Sequence, residues 1–121
     1  LEVCKQSGQT FSSFKNKKNK TRPFEVEYIS IKMDREKLYQ RINDRVDTMM
    51  KKGLLQEVEI LIKFQDLNAL KTVGYSELFQ YLNNDISLEK AIELIKQNSR
   101  RYAKRQMTWL KRYPINWMEN Q

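Results

Sequence analysis

Phe24-Glu25-Val26-Glu27-Tyr28-Ile29-Ser30-Ile31 alternates aromatic or β-branched residues with polar ones, the period of a half-buried strand. A few residues later the period changes. From Asp34, a suitable helix cap, Leu38, Ile42, Val46 and Met49 recur every three or four positions up to a stop at Gly53. One strand followed by helical periodicity predicts a mainly α chain with one or two short strands. A lone strand has no ladder partner, and unpaired backbone groups are costly when buried. Its partner is therefore expected from sequence outside this chain, or from an improvised edge pairing within or between chains.

Upstream of the strand, Lys15-Asn16-Lys17-Lys18-Asn19-Lys20 lacks apolar spacing and reads as a solvated loop. Before it, Leu1-Glu2-Val3-Cys4-Lys5 reads as the tail of a helix that stops near Gly8. A helix should not begin at its own end. This, and a first residue other than Met, lead to the expectation that sequence is missing upstream.

Downstream, Leu54, Val58, Leu61 and Ile62 mark a second helix over about residues 54–64, with Glu57 and Glu59 favourably near its start. A loop containing Gly74, read as a plain breaker, leads to a short helix through Leu78, Phe79 and Leu82, closed by Asn83-Asn84-Asp85. Ser87 caps the last helix, which runs to about Arg112, before Pro114.

Composition narrows the chemistry. With no histidine among 121 residues, the chain supplies no Ser-His-Asp or Cys-His couple, and with Cys4 alone it offers no disulfide and no multi-cysteine zinc site. A lone cysteine points to a reducing, intracellular setting, and the chain has no stretch of eighteen apolar residues that could span a membrane. The net charge of +8 is uneven: residues 1–33 carry +4, residues 34–95 carry −2 and residues 96–121 carry +6. Basic ends around a near-neutral middle suit a polyanion, nucleic acid being the commonest.

That charge concentrates on the last helix. Lys96, Arg100, Lys104 and Lys111 line one flank of its apolar stripe of Leu88, Ile92, Ile95, Tyr102, Trp109 and Leu110, and Arg101, Arg105 and Arg112 line the other. No acid lies between Glu93 and Glu119, so these charges are expected to meet water or an external polyanion. Ser99 and Gln106, on the apolar side, are either satisfied internally or placed to meet a ligand. Arg45 falls on the apolar stripe of the first long helix, where it either closes an internal salt bridge or aims a fork at a bound phosphate.

Four blocks, in this order and spacing, carry a resemblance. They are Asp34-Arg35-Glu36-Lys37-Leu38-Tyr39-Gln40-Arg41-Ile42-Asn43-Asp44-Arg45-Val46, Gly53-Leu54-Leu55-Gln56-Glu57-Val58, Thr72-Val73-Gly74-Tyr75-Ser76-Glu77-Leu78, and Ser99-Arg100-Arg101-Tyr102-Ala103-Lys104-Arg105-Gln106-Met107-Thr108-Trp109. The chain resembles the C-terminal part of the tRNA dimethylallyltransferase family. The resemblance implies a P-loop-type α/β core with a helical insert. Residues 1–33 would be core-derived, residues 34–86 the helical insert region, and residues 87–121 a basic helix returning to the core. It implies transfer of a dimethylallyl group from dimethylallyl diphosphate to the exocyclic amine of the adenine 3′ of the anticodon.

It also implies roles for particular residues. Arg45 would contact the diphosphate. Gln97, Asn98, Ser99, Arg100, Arg101, Tyr102, Ala103 and Lys104 would contact the tRNA anticodon stem-loop, with Arg105, Gln106 and Thr108 as further candidates. The general base, the phosphate loop and the Mg2+ ligands would lie outside this chain, whose three glycines form no G-x-x-x-x-G-K motif. The chain alone is expected to be inactive, and the whole enzyme to be a cytoplasmic monomer without a membrane partner. The alternative is a stand-alone basic helical RNA-binding or adaptor module without catalysis. The orphan strand is expected to separate the two, since an autonomous module should pair it internally.

Overall fold

The computed structural model describes residues 1–15 and 21–119, so most of the lysine-rich run at 15–20 lies outside the described residues. In chain order the elements are α1 (Glu2–Ser7), α2 (Phe11–Lys15), β1 (Tyr28–Lys32), α3 (Arg35–Lys51), α4 (Leu54–Leu61), α5 (Tyr75–Leu82), α6 (Leu88–Leu110) and β2 (Ile115–Glu119). Single 3₁₀ turns at Ile62–Phe64 and Asn68–Leu70 join α4 to the loop before α5. The architecture is mostly helical with two short strands, as the periodicity predicts.

Local chemistry explains the helix ends. The Asp34 carboxylate accepts from the amides of Glu36 and Lys37 at 3.1 and 3.4 Å, satisfying two of the donors that every helix start leaves open. Ser87 does the same for Lys90 at 3.2 Å. Gly8, at φ 67°, closes α1 in the left-handed conformation that glycine adopts without steric cost. No residue of α1 is buried, so only its local hydrogen bonds hold it.

The core lies among α3 to α6. Val46, Val58, Leu78, Phe79, Ala91 and Ile95 are buried together, one or two from each helix. Fully burying a Val, Leu, Ile or Phe side chain contributes about 1.5 to 3 kcal/mol. Around them pack Met50, Leu54, Leu55, Leu61 and Ile92. The apolar stripe of α6 does not stay buried along its length. Tyr102 is 62% exposed and Trp109 53%, because α5 ends at Leu82 and the buried cluster reaches α6 only at Ala91 and Ile95.

The strand departs from expectation in its extent, and its pairing takes the in-chain form that was one of the alternatives. It covers Tyr28–Lys32 rather than residues 24–31, and it has a partner within the chain. β1 pairs in parallel with β2, Tyr28 opposite Ile115 and Lys32 opposite Glu119, across a connection made of α3 to α6. Residues 24–27 have no partner beyond the end of β2, although Asn116 donates to the Glu27 carboxylate at 3.2 Å. The ribbon is tied to the end of α6 by aromatic contacts. Tyr113 lies 5.0 Å from Tyr28 and 4.8 Å from Trp109, ring centre to ring centre. Ile29 and Ile31 remain 59% exposed. Two strands are marginal by themselves, so these contacts matter to the ribbon's stability.

Candidate functional site

α3 and α6 run antiparallel, stitched by two polar pairs. Lys96 Nζ lies 2.7 Å from the Asp47 carboxylate, and one turn along Arg100 donates to Asn43 Oδ1 at 2.8 Å and reaches Glu93 at 3.4 Å. Asp47 of α3 thus neutralises Lys96, Glu93 of α6 itself reaches Arg100, and Asn43 of α3 adds a neutral acceptor. The expectation that the whole basic face meets only water or an external polyanion fails for its first two cations.

Beside this seam lies an open groove of about 500 Å3, walled by Arg45, Val46 and Met49 of α3, Val73 of the loop before α5, and Ser99 and Gln106 of α6. Arg45 is exposed rather than inward-facing. No acid accepts it among the described residues, so the internal salt bridge is not formed. The i, i+4 spacing that puts Leu38, Ile42 and Val46 inward leaves Arg45 at the rim, its charge in water and its stem along apolar walls. Ser99 and Gln106 likewise make no side-chain hydrogen bond among the described residues, and no buried side-chain nitrogen or oxygen there lacks a partner. Both therefore present polar groups to an accessible space. A guanidinium and two neutral polar groups over an apolar floor suit a ligand with an anionic end and an apolar end.

A second opening, of about 320 Å3, adjoins the first. Met49 and Val73 belong to both, and Lys52, Glu57 and Tyr75 supply its polar wall. The Tyr75 hydroxyl donates to the Glu57 carboxylate, and this bond raises its pKa above the ordinary 10.0. Gly74 is more than a breaker. It opens α5 at φ 105°, and its amide donates to the Glu77 carboxylate at 2.8 Å. Glu77 is only 4% exposed, and the Asn98 amide donates to its other oxygen at 2.7 Å. The three-residue spacing of Gly74 and Glu77 was a legible sign of this cap. The partnership with Asn98 had no sign in the sequence.

The remaining predicted contacts are scattered over α6. Arg101 is exposed and reaches Asn98 Oδ1 at 3.5 Å, and the Arg105 guanidinium sits 5.8 Å from the Tyr102 ring centre. Tyr102 and Ala103 join Ser99 on the groove wall, and Gln97 is half-buried. Lys104 is exposed, and the Thr108 hydroxyl donates to its carbonyl at 2.9 Å. Among the described residues, no helix is long and apolar enough to cross a membrane.

Known proteins resemble both sequence and fold. The chain is 53% identical over 118 residues to tRNA dimethylallyltransferase 1 of Bacteroides thetaiotaomicron, covering 97% of this chain and 38% of that protein. It is 48% identical over 120 residues to the tRNA dimethylallyltransferase of Christiangramia forsetii, covering 98% of this chain and 40% of that protein. The crystal structure of the tRNA isopentenylpyrophosphate transferase of Staphylococcus epidermidis matches with a TM-score of 0.76 at 38% identity, over 98% of this chain and 40% of that one. The enzyme from Bacillus halodurans matches with a TM-score of 0.75 at 40% identity, over 80% of this chain and 33% of that one. The chain thus spans about two fifths of the length of these curated relatives. With residues 1–113 matching the family model described as IPP transferase, and the fold matching as well, the chain belongs to the IPP transferase family.

Proposed function

We propose that these 121 residues are part of a tRNA dimethylallyltransferase and supply its diphosphate-contacting arginine and part of its tRNA surface. In the reaction, the exocyclic nitrogen of the adenine 3′ of the anticodon forms a bond to the allylic carbon of dimethylallyl diphosphate. The carbon–oxygen bond breaks with its electron pair going to the departing diphosphate, and the amine proton passes to a base outside this chain. Negative charge grows on the bridging oxygen, where a fixed donor lowers the barrier. Arg45 is given that task. The observation that carries the reading is its position: it has no acidic partner among the described residues and lines a partly apolar groove with Ser99 and Gln106.

The face of α6 from Gln97 to Lys104, with Arg105, Gln106 and Thr108, is assigned to the anticodon stem-loop. Phosphate contacts there position the RNA rather than read it. Residues 1–33 and 87–121 are assigned to the core and residues 34–86 to the insert. Among the described residues no three His, Cys, Asp or Glu side chains gather as a metal set. The proposal assigns this chain no metal ligand and leaves Mg2+ to the rest of a cytoplasmic, monomeric enzyme. Lacking the base and the phosphate loop, the chain alone should not prenylate RNA.

The test is Arg45→Ala in an intact transferase carrying these residues. Turnover should fall by about 10²- to 10³-fold, the usual effect of losing one such donor, and diphosphate affinity should fall as well, with tRNA affinity nearly unchanged. An equal loss of tRNA affinity would assign Arg45 a structural role instead.

A further inference from the structure

The cations of α6 differ in what they touch, and the difference points to one place. Lys96 and Arg100 are held by Asp47, Asn43 and Glu93. Lys104 and Lys111, farther along the same flank, have no side-chain partner among the described residues. They are seven residues apart, so they share a face and lie roughly 10 Å apart along the axis.

The antiparallel seam shows what stands opposite them. Lys96 meets Asp47 and Arg100 meets Asn43. Each further turn along α6 steps one turn back along α3. That register brings Tyr39 level with Lys104, and Arg35 level with Thr108. Arg35, Tyr39, Lys104, Thr108 and Lys111 do line one groove, of about 210 Å3. No carboxylate is among its walls. The two acids flanking Arg35 in sequence, Asp34 and Glu36, do not line it and form no ion pair with Arg35 among the described residues, and Asp34 caps the amides of Glu36 and Lys37. Three cations without an internal counter-ion repel one another, and an anion between them would remove that cost. The Tyr39 hydroxyl, also unpartnered among the described residues, adds a neutral donor.

We infer that Arg35, Lys104 and Lys111 form a clamp for the sugar-phosphate backbone of the bound tRNA, built across the first turn of α3 and the last turns of α6. The inference rests on the tRNA-binding reading and extends it to Arg35 and Lys111. An RNA backbone fits better than a single anion because the charges are spread along the groove and not focused on one point. Arg35 supplies a fork for phosphate oxygens, and the two lysines act as point charges.

The test uses an intact transferase carrying these residues, with the affinity for an anticodon stem-loop RNA measured over about 50 to 200 mM salt. Arg35→Gln and Lys111→Gln should each weaken binding several-fold and lower the slope of log affinity against log salt by about 0.7 to 0.9. Dimethylallyl diphosphate affinity should be unchanged, and Arg35→Lys should retain most of the slope. If Lys104→Gln lowers the slope while Arg35→Gln and Lys111→Gln do not, the clamp is wrong and α6 still binds tRNA. If none of the three changes it, and Arg100→Gln and Arg101→Gln do not either, the tRNA-binding reading falls too.

Discussion

Asn98 of α6 donates its side-chain amide to the buried carboxylate of Glu77 at 2.7 Å, and Glu77 in turn accepts the Gly74 amide at 2.8 Å. One side chain therefore fixes the loop before α5 to the middle of the basic helix. Because Glu77 is 4% exposed, water cannot replace a lost partner. Asn98→Ala should destabilise the fold by about 1 to 3 kcal/mol, the cost of leaving a buried acceptor unsatisfied. Asn98→Asp should be worse, since it sets a second carboxylate against the first. Chemical denaturation checks both, and an Asn98→Asp variant as stable as the parent would show that the carboxylate draws little from this contact.

Gly74 tests the same bracket from its backbone side. At φ 105° and ψ −55° it occupies a conformation that residues with a Cβ rarely adopt, yet nothing lies within 4 Å of where that Cβ would be. The cost of Gly74→Ala is therefore conformational rather than steric crowding, about 1 to 3 kcal/mol. Gly8→Ala, at φ 67° on the exposed α1, should cost about 1 to 2 kcal/mol locally and leave the melting of the core unchanged. Thermal unfolding of the two variants separates a structural hinge from a frayed end.

These residues also mark what the sequence could and could not show. Periodicity and capping located α3, α4, α5 and α6 because those signals are local: Asp34, Ser87 and Gly53 lie where helices begin or stop. Pairings between distant residues leave no such trace. Ile115-Asn116-Trp117-Met118-Glu119 follows Pro114, and its alternation breaks at Met118, so it is too short and too irregular to declare itself as the partner of a strand some 87 positions earlier. Internal pairing of β1 therefore does not mark a stand-alone module, since the chain belongs to a family whose members are much longer. Arg45 was legible as a residue out of pattern. That it sits on the rim of a groove with Ser99 and Gln106 depends on the α3–α6 packing.

Tyr75 and Glu57 link α5 to α4 beside the second opening. The hydrogen bond needs the phenol protonated, and it holds the Tyr75 pKa above 10.0 in the folded state. A pKa raised on folding means that the contribution is fully present below pH 10 and is lost as pH rises through the folded value. Tyr75→Phe should cost about 0.5 to 1 kcal/mol, at the low end because Glu57 is exposed. The stability difference between parent and variant should be flat through neutral pH and shrink above pH 10. Denaturation at a series of alkaline pH values measures it, and a gap that widens there would contradict the bond's direction.

Asp47 offers a gain-of-binding test. It pairs with Lys96 at 2.7 Å, with the two side chains 47% and 19% exposed, so the pair is partly screened and contributes at most about 1 kcal/mol to stability. Its larger effect is on the charge that α6 presents. Asp47→Asn removes a negative charge from the seam and releases Lys96 to an external anion. In an intact transferase carrying these residues, tRNA affinity should rise a few-fold at low salt, and the salt slope should steepen by up to about 0.7 to 0.9, one further phosphate contact. Lys96→Gln in the parent should change that slope less than Lys104→Gln does, because Lys96 already has a counter-ion and Lys104 has none among the described residues. Weaker tRNA binding by Asp47→Asn, with unfolding unchanged, would mean that Lys96 works through its pairing with α3 and not through its charge.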